Sequence, residues 1–542
     1  MQVENTQKPD IWKVSERVLR MLLFAGVFLC LLQIWLPTYF VNGDGPCHIA
    51  NARVMHDLWT GTSVDLYRRF YHFNLHPHPN WLSHLILAGL MFVVNGLTAE
   101  KLLLTGYVLL MVTGMYRLLR QVAGRPTYWP LVLFLFIFHN LVAQGFYNFS
   151  YSIGFFCLLV GEWIKYLGDK DRKRLASFFV LLLLTYFSHP VAFILGGVTC
   201  GALAISHAVA EKGSAAGRTL MRILVVLGLC NIPLLLLFAG FANRQHSGHG
   251  PHLQFVPGRF LELVRFEYLV NYDHREVLVA AMSGIVFCWV FMVALLRRAQ
   301  AGKTVHRFDG FFLAFLFTIS LFPVVSNLML GGGALVARLG LFAMLFMALC
   351  VAYMPVRDKV LNIAGLLLFS YSSVLAVVRM NINLEGSDAI ADHLTVGRYI
   401  RPGSVVLPLH FATFGKKEGG EMITDKNNTF AHEGQYLAMA KQVIVLDNYE
   451  ANTNYFPLKW HDSVNPHKHL SRKRGIEGVP PSAAINEYRV KNGVAIDYVV
   501  TICFDSSLLK DPDVAELMNE VAGGYHIIYA SPARQAVLWQ RK

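Results

Sequence analysis

The sequence has little charge. Asp, Glu, Lys and Arg make up 15% of its 542 residues, while 54% are hydrophobic and the mean hydropathy is +0.43. Soluble domains carry about 25% charged residues, so a string of such domains is excluded. Cysteine is also scarce. There are eight, and Cys30, Cys157, Cys200, Cys230, Cys288 and Cys350 sit in apolar runs, where the residue serves as a small core side chain. No C-x-x-C spacing occurs, which excludes Cys-based zinc and dithiol chemistry and a disulfide scaffold. Cys47 and Cys503 fall outside the runs and are the one pair free to bridge. Glycine and proline, at 43 and 21 residues, are too ordinary for a collagen-like or low-complexity chain. No G-x-G-x-x-G or P-loop pattern is present, and there is no internal repeat or long linker.

What is present is a series of apolar runs. A transmembrane helix needs roughly 20 largely apolar residues. Such runs occur at 19–40, 101–119, 129–146, 148–167, 175–190, 191–210, 219–240, 276–296, 308–328, 334–354 and 359–379. A further run at 81–97 is shorter and carries Ser83, His84 and Asn95. The first run is long, lacks an A-x-A site and ends in Pro37-Thr38-Tyr39, so it reads as an uncleaved anchor. These runs predict a polytopic α-helical membrane protein with about 11–12 transmembrane helices.

The net charge of +13 alone would suggest a nucleic-acid partner, but its distribution excludes one. Segments 1–20, 117–125, 168–174, 211–218, 297–307 and 355–359 hold 19 Lys/Arg against 7 Asp/Glu, a surplus of +12. Short cytoplasmic loops carry this kind of excess. With eleven spans all six segments fall inside and the C-terminus outside; with 81–97 as a twelfth span that parity breaks. Residues 81–97 are therefore expected to form a juxtamembrane or partly inserted helix. The protein is placed in the cell (inner or plasma) membrane with its N-terminus cytoplasmic.

Beyond residue 380 the character changes: residues 380–542 hold 17 Lys/Arg and 18 Asp/Glu. Strand-like runs at 404–409, 443–447, 497–503, 526–530 and 536–540 alternate with amphipathic stretches such as 511–521, which follows the cap-like Lys510-Asp511-Pro512. The expected organisation is a multi-span module at 1–379, with outer loops at 41–100 and 241–275, and an extracytoplasmic α/β domain at 380–542.

Charge topology sorts the polar motifs by side. The first outer loop opens Asn42-Gly43-Asp44-Gly45-Pro46-Cys47-His48, and an Asp between two glycines leaves its carboxylate sterically open. Asp44 could equally cap a helix beginning at Pro46. The same loop ends His76-Pro77-His78-Pro79-Asn80-Trp81. Asn148 and His189 lie in later outer loops, where helix–helix hydrogen bonding is the alternative. His246, His249 and His252 recur every three residues, which suits one metal-binding helical face or, in a Gly/Pro-rich setting, a flexible loop. Arg338 sits at the start of a span, where an arginine faces an anionic ligand or snorkels to a headgroup.

This arrangement resembles the GT-C superfamily of membrane glycosyltransferases. Asn42-Gly43-Asp44-Gly45-Pro46 follows the first span, His76-Pro77-His78-Pro79-Asn80-Trp81 precedes the next membrane helix, and Ala337-Arg338-Leu339 opens a late one. The resemblance implies transfer of a hexosyl or pentosyl group from a polyprenyl-phosphate-linked donor to a glycan, lipid or protein acceptor of the cell envelope, on the outer face. By that analogy Asp44 is the general base on the acceptor hydroxyl or orients it, and Arg338 holds the donor phosphate. His76 or His78 assists the leaving phosphate, and His48, Asn148 and His189 complete the substrate-binding set. Many members carry two acidic residues close together in the first loop. Here Asp44 stands alone, with Asp57 and Asp65 distant, so a loop-bound divalent metal is not supported and no cofactor is expected.

Two other classes remain open. A transporter or flippase for a lipid-linked substrate would show paired broken helices; Pro233 and Pro323 interrupt spans, but not in matching halves. A non-catalytic envelope scaffold would use residues 380–542 as a binding module. The aromatic-rich stretch 447–456 fits carbohydrate or protein contact, or a loop packed on the membrane helices.

Overall fold

The computed structural model describes residues 14–211, 216–245, 254–302, 304–329 and 332–542. His246, His249 and His252 lie outside the described residues. The molecule is a multi-pass helical membrane protein with a sheet-containing C-terminal region.

Among the described residues, seven helices are long and apolar enough to cross a membrane: Glu16–Trp35, Gly96–Ala123, Pro190–Ala210, Gly217–Arg244, His274–Gln300, Leu335–Tyr353 and Asp358–Tyr399. The other predicted runs hold the helices Tyr147–Asp169, Arg172–Ser188 and Gly310–Leu321, and the broken helical segment Trp129–Ala143. Residues 81–97 do not form a span. Helix Leu82–Leu90 has nine residues, about 14 Å at 1.5 Å per residue, against a hydrocarbon core of about 30 Å. A turn follows, and Asn95 then caps the next helix by accepting from the Thr98 N–H at 2.9 Å.

Ion pairs and hydrogen bonds gather four of the basic segments, 1–20, 117–125, 297–307 and 355–359, at one end of the bundle. Arg120 pairs with Glu16 at 2.7 Å, Arg125 with Asp358 at 2.8 Å and Arg298 with Asp309 at 2.8 Å. Arg125 also donates to the Val356 carbonyl, and Ser206 to the Arg307 carbonyl. The opposite end carries the C-terminal region. The last long helix, Asp358–His393, links the two without a break at residue 380.

The C-terminal strands are β2 (Val405–His410), β3 (Ile444–Val445), β5 (Tyr498–Ile502), β6 (Tyr525–Ala530) and β7 (Ala536–Arg541); β1 (Tyr71–Phe73) and β4 (Leu458–Trp460) form a separate pair. The five-stranded sheet has the order β3-β2-β5-β7-β6. β2 runs parallel to β3 and β5, while β7 is antiparallel to β5 and β6. β2 and β5 are buried along their whole length, as central strands covered on both faces are. Pro408 has no N–H to extend the ladder toward β3, whose pairing with β2 covers Val405 and Val406 alone.

The β1–β4 pair joins Tyr71 to Trp460, His72 to Lys459 and Phe73 to Leu458. Val54, Tyr67, Phe70 and Tyr71 of the first loop share one core with Leu407, Leu458, Trp460 and Tyr488. The first loop and the C-terminal region are thus packed together across nearly 400 residues of chain. All eight cysteines are free, so Cys47 and Cys503 do not pair.

Candidate active site

Asp44 lies where three backbone segments meet. Val41 N donates to Asn383 Oδ1 at 3.2 Å, Gly43 N to the Ala143 carbonyl at 3.0 Å and Asp44 N to the Gln144 carbonyl at 2.9 Å. The glycines are needed for this approach. A Cβ on Gly45 would lie 2.2 Å from Asn42 Oδ1 and 2.4 Å from Tyr147 Oη. Gly145 sits at φ +87°, in the left-handed region, and a Cβ there would meet Asp44 N at 2.6 Å.

Asp44 occupies the N-cap position of helix Gly45–Thr60, yet its side chain makes no capping hydrogen bond. Asn42 does that work instead, its Oδ1 accepting from the Gly45 N–H at 2.6 Å. The Asp44 carboxylate is left to face a cavity of about 1230 Å³. Small-molecule sites occupy roughly 300–1,000 Å³, so this one is large enough for an extended amphipathic ligand.

One wall of the cavity is apolar and comes from the spans: Ile194, Leu195, Phe238, Phe241, Phe317, Leu321 and Leu339. The other is polar. It is built from Asp44 and His48 of the first loop and from Lys426, Asn427, His432, Tyr449, Tyr455 and Glu477 of the C-terminal region. Arg338, in the first turn of helix Leu335–Tyr353, also lines it. The Arg338 guanidinium lies 5.1 Å from the centre of the Phe146 ring and 5.5 Å from that of Phe149. Among the described residues its Nε has no hydrogen-bond partner and no carboxylate is within ion-pair distance.

The carboxyl groups of this wall are shifted toward neutrality. Burial raises Asp44 to about 7, against the Tyr449 hydroxyl, His48 and Arg338, which favour its charged form. Burial likewise raises Asp447 to about 7 and pushes Glu477 well above the carboxylate range, helped by the Asp447 and Asp44 charges. His432 lies between acids, with Nε2 3.9 Å from Asp44 Oδ1 and Nδ1 4.0 Å from Asp447 Oδ2. Burial nevertheless lowers it to about 4, so the ring is neutral at pH 7. It stacks on Tyr449 at 4.9 Å.

Of the sequence-derived candidates, Asp44, His48, Asn148, His189 and Arg338 all line this one cavity. Asn148 is engaged at both ends of its amide: Oδ1 accepts from Ser83 N at 2.8 Å and Nδ2 donates to the Asn80 carbonyl at 2.9 Å. It positions the 80–83 turn. His189 caps helix Pro190–Ala210 through Nδ1, which accepts from Val191 N at 3.2 Å.

His76 and His78 are not brought to the cavity. His76 is exposed. His78 is buried with its ring against Phe241 at 5.4 Å, one layer behind a cavity-lining side chain, and burial lowers it to about 4. Sequence reasoning missed His432 and Glu477, and it singled out Tyr449, Tyr455 and Phe456 only as an aromatic stretch; long-range packing alone brings them to Asp44. Among the described residues, two groups of side chains have a donor set suited to a metal ion: His48, His84 and Glu450, and His393, His410 and Glu433.

The helical bundle with its C-terminal sheet region has a fold found among solved membrane-protein structures. Two solved structures of ArnT from Cupriavidus metallidurans, a GT-C glycosyltransferase, match nearly the whole molecule. The apo structure aligns with a TM-score of 0.54 at 10% identity, covering 97% of this chain and 98% of that one. The structure bound to undecaprenyl phosphate aligns with a TM-score of 0.51 at 9% identity, with the same coverage. No protein-family model matches the chain, and no curated protein matches it in sequence. The likeness is one of fold.

Proposed function

We propose that this protein is a membrane glycosyltransferase. It transfers a sugar from a polyprenyl-phosphate-linked donor to a cell-envelope acceptor on the extracytoplasmic face. The observation that carries the proposal is the two-walled cavity. An apolar wall at the end of the spans suits a lipid tail, the unpaired Arg338 cation suits its phosphate, and Asp44 faces the same space from the polar wall. The undecaprenyl phosphate bound to ArnT, a protein of like fold, supports this donor class.

In the transfer, the acceptor hydroxyl oxygen bonds to the anomeric carbon as the bond from that carbon to the phosphate oxygen breaks. The phosphate leaves with the electron pair, and Arg338 stabilises the charge it gains. Asp44 takes the hydroxyl proton. The Tyr449 hydroxyl orients the carboxylate, and the aromatic faces of Tyr449 and Tyr455 form the floor on which a sugar ring packs. The basic end of the bundle faces the cytoplasm, which puts the cavity, the first loop and residues 380–542 outside.

Reconstituted protein supplied with labelled polyprenyl-phosphate sugars and envelope acceptors tests the reading. Transfer is expected in the wild type and lost in Asp44→Asn. Transfer that persists unchanged in the variant removes Asp44 from the mechanism, and substrate flux across vesicles without transfer with any donor replaces the enzyme with a transporter. A cysteine at position 120 is expected to label from the cytoplasmic side; labelling from outside overturns the orientation.

A further inference from the structure

Beside Asp44, three side chains converge that the transfer reaction leaves without a task. His48 comes from helix Gly45–Thr60, His84 from helix Leu82–Leu90 and Glu450 from the C-terminal region. His48 Nδ1 is 2.7 Å from Glu450 Oε1, His84 Nε2 is 2.9 Å from Glu450 Oε2, and the two ring nitrogens are 3.2 Å apart. His84 and Glu450 are 0% exposed and His48 is 3% exposed. The outer contacts fix the set. His48 Nε2 faces the Gly145 carbonyl at 3.0 Å, and Asn51 Nδ2 donates to Glu450 Oε2 at 2.7 Å.

A carbonyl only accepts, so the proton of a neutral His48 sits on Nε2 and its Nδ1 turns a lone pair toward the other two groups. Among the described residues Glu450 Oε1 has no partner besides this 2.7 Å contact to His48 Nδ1. Two imidazole nitrogens and a carboxylate at such mutual distances share positive charge between them, which a proton or a metal ion can supply. Ligand atoms about 3 Å apart can all lie about 2.0–2.2 Å from one ion, the length of zinc–nitrogen and zinc–oxygen bonds.

We propose that His48, His84 and Glu450 bind a divalent transition-metal ion of the zinc type through Nδ1, Nε2 and the carboxylate. Two imidazoles and one carboxylate form a three-ligand zinc set, whereas calcium and magnesium take oxygen ligands. The site differs from an acidic pair in the first loop, since Asp44 is not among its ligands. Its ligands come from three segments far apart in the chain. The ion therefore fastens the helix that begins at Asp44 to helix Leu82–Leu90 and to the C-terminal region, and metal binding couples to the stability of that junction. The other cluster offers an internal control: His393 Nδ1 and His410 Nε2 make directed hydrogen bonds of 2.6 and 2.8 Å to a single oxygen, Glu433 Oε1, and protons suffice there.

Metal content read on the purified full-length protein, followed by chelator stripping and titration with Zn²⁺ or Co²⁺, tests the site without any assay of transfer. One equivalent is expected in the wild type, in Glu433→Gln and in Asp44→Asn, with a rise in thermal midpoint on adding Zn²⁺. Affinity is expected to fall by more than about 100-fold in Glu450→Gln and in His84→Gln, beyond what loss of a supporting contact causes. Should either variant fail to fold, the wild-type Co²⁺ spectrum decides. A four- or five-coordinate nitrogen/oxygen spectrum supports the site, while an octahedral or thiolate spectrum overturns it. A wild type that binds no ion, binding undiminished in both ligand variants, or loss confined to Glu433→Gln also overturns it. A wild type that holds the ion yet transfers no sugar from any donor would speak against the catalytic reading and leave the metal site standing.

Discussion

The two walls of the cavity were made by different physics. The apolar wall is the end of a helix bundle, and all of its residues but Phe241, one position past its run, belong to runs that the membrane selects for length and hydrophobicity. The polar wall is assembled from loops distant in sequence, held by the close approach of Gly43, Gly45 and Gly145 and by the β1–β4 pair. Substitutions in the first wall change how well a lipid fits, whereas substitutions in the second change charge, proton transfer or the docking of the C-terminal region. The contrast teaches that chemistry in this fold depends on the part with least local encoding.

The comparison is broken most severely at Asp44. Asp44→Asn should lower the rate of transfer by about 10²–10⁴-fold with unchanged thermal stability, as measured by single-turnover transfer and melting. A loss of folding instead would assign Asp44 to structure. Trp460→Ala attacks the scaffold of the same wall. Trp460 is 1% exposed in the core shared by the first loop and the C-terminal region, and its removal should cost about 3–5 kcal/mol of stability. A wild-type denaturation midpoint would show that the junction is not a packed unit. Arg338→Gln should reduce transfer by about 10²–10³-fold, with Arg338→Lys retaining more; equal, wild-type rates for both would remove the cation from the donor phosphate.

The pH profile sharpens the same contrast. Asp44 is raised to about 7 and must be deprotonated to accept a proton. The rate should therefore rise about tenfold per pH unit below that value and level off above it. A flat profile between about pH 5 and 8 would deny Asp44 the role of base. His76→Ala should have the smallest effect, with stability within about 0.5 kcal/mol of wild type and unchanged kcat and KM, because His76 is exposed and outside the cavity lining. A loss of activity there would reinstate the His76–His78 segment at the site.

Much of the fold was legible in advance for local reasons. Apolar runs marked the membrane helices because a span must satisfy its backbone internally and present apolar side chains throughout. The strand-like runs at 404–409, 497–503, 526–530 and 536–540 became β2, β5, β6 and β7. The run at 443–447 paired only at Ile444 and Val445, since Pro408 cannot donate onward. Asp44 stood out because glycines flank it, and Arg338 because a span seldom tolerates arginine. His432, Glu477, His84 and Glu450 carried no such local mark. Each is an ordinary polar residue until tertiary packing sets it beside Asp44 or His48.

The amino-acid sequence by itself determined the apolar helices and the strands of the C-terminal sheet. These follow from hydropathy, capping and propensity read over a few residues at a time. Only the tertiary structure decided that the first loop and the C-terminal region share one core, that Asp44 is spared from capping by Asn42, and that His48 meets His84 and Glu450. Those arrangements depend on contacts across as many as 400 residues, and no local pattern fixes a distance at that range.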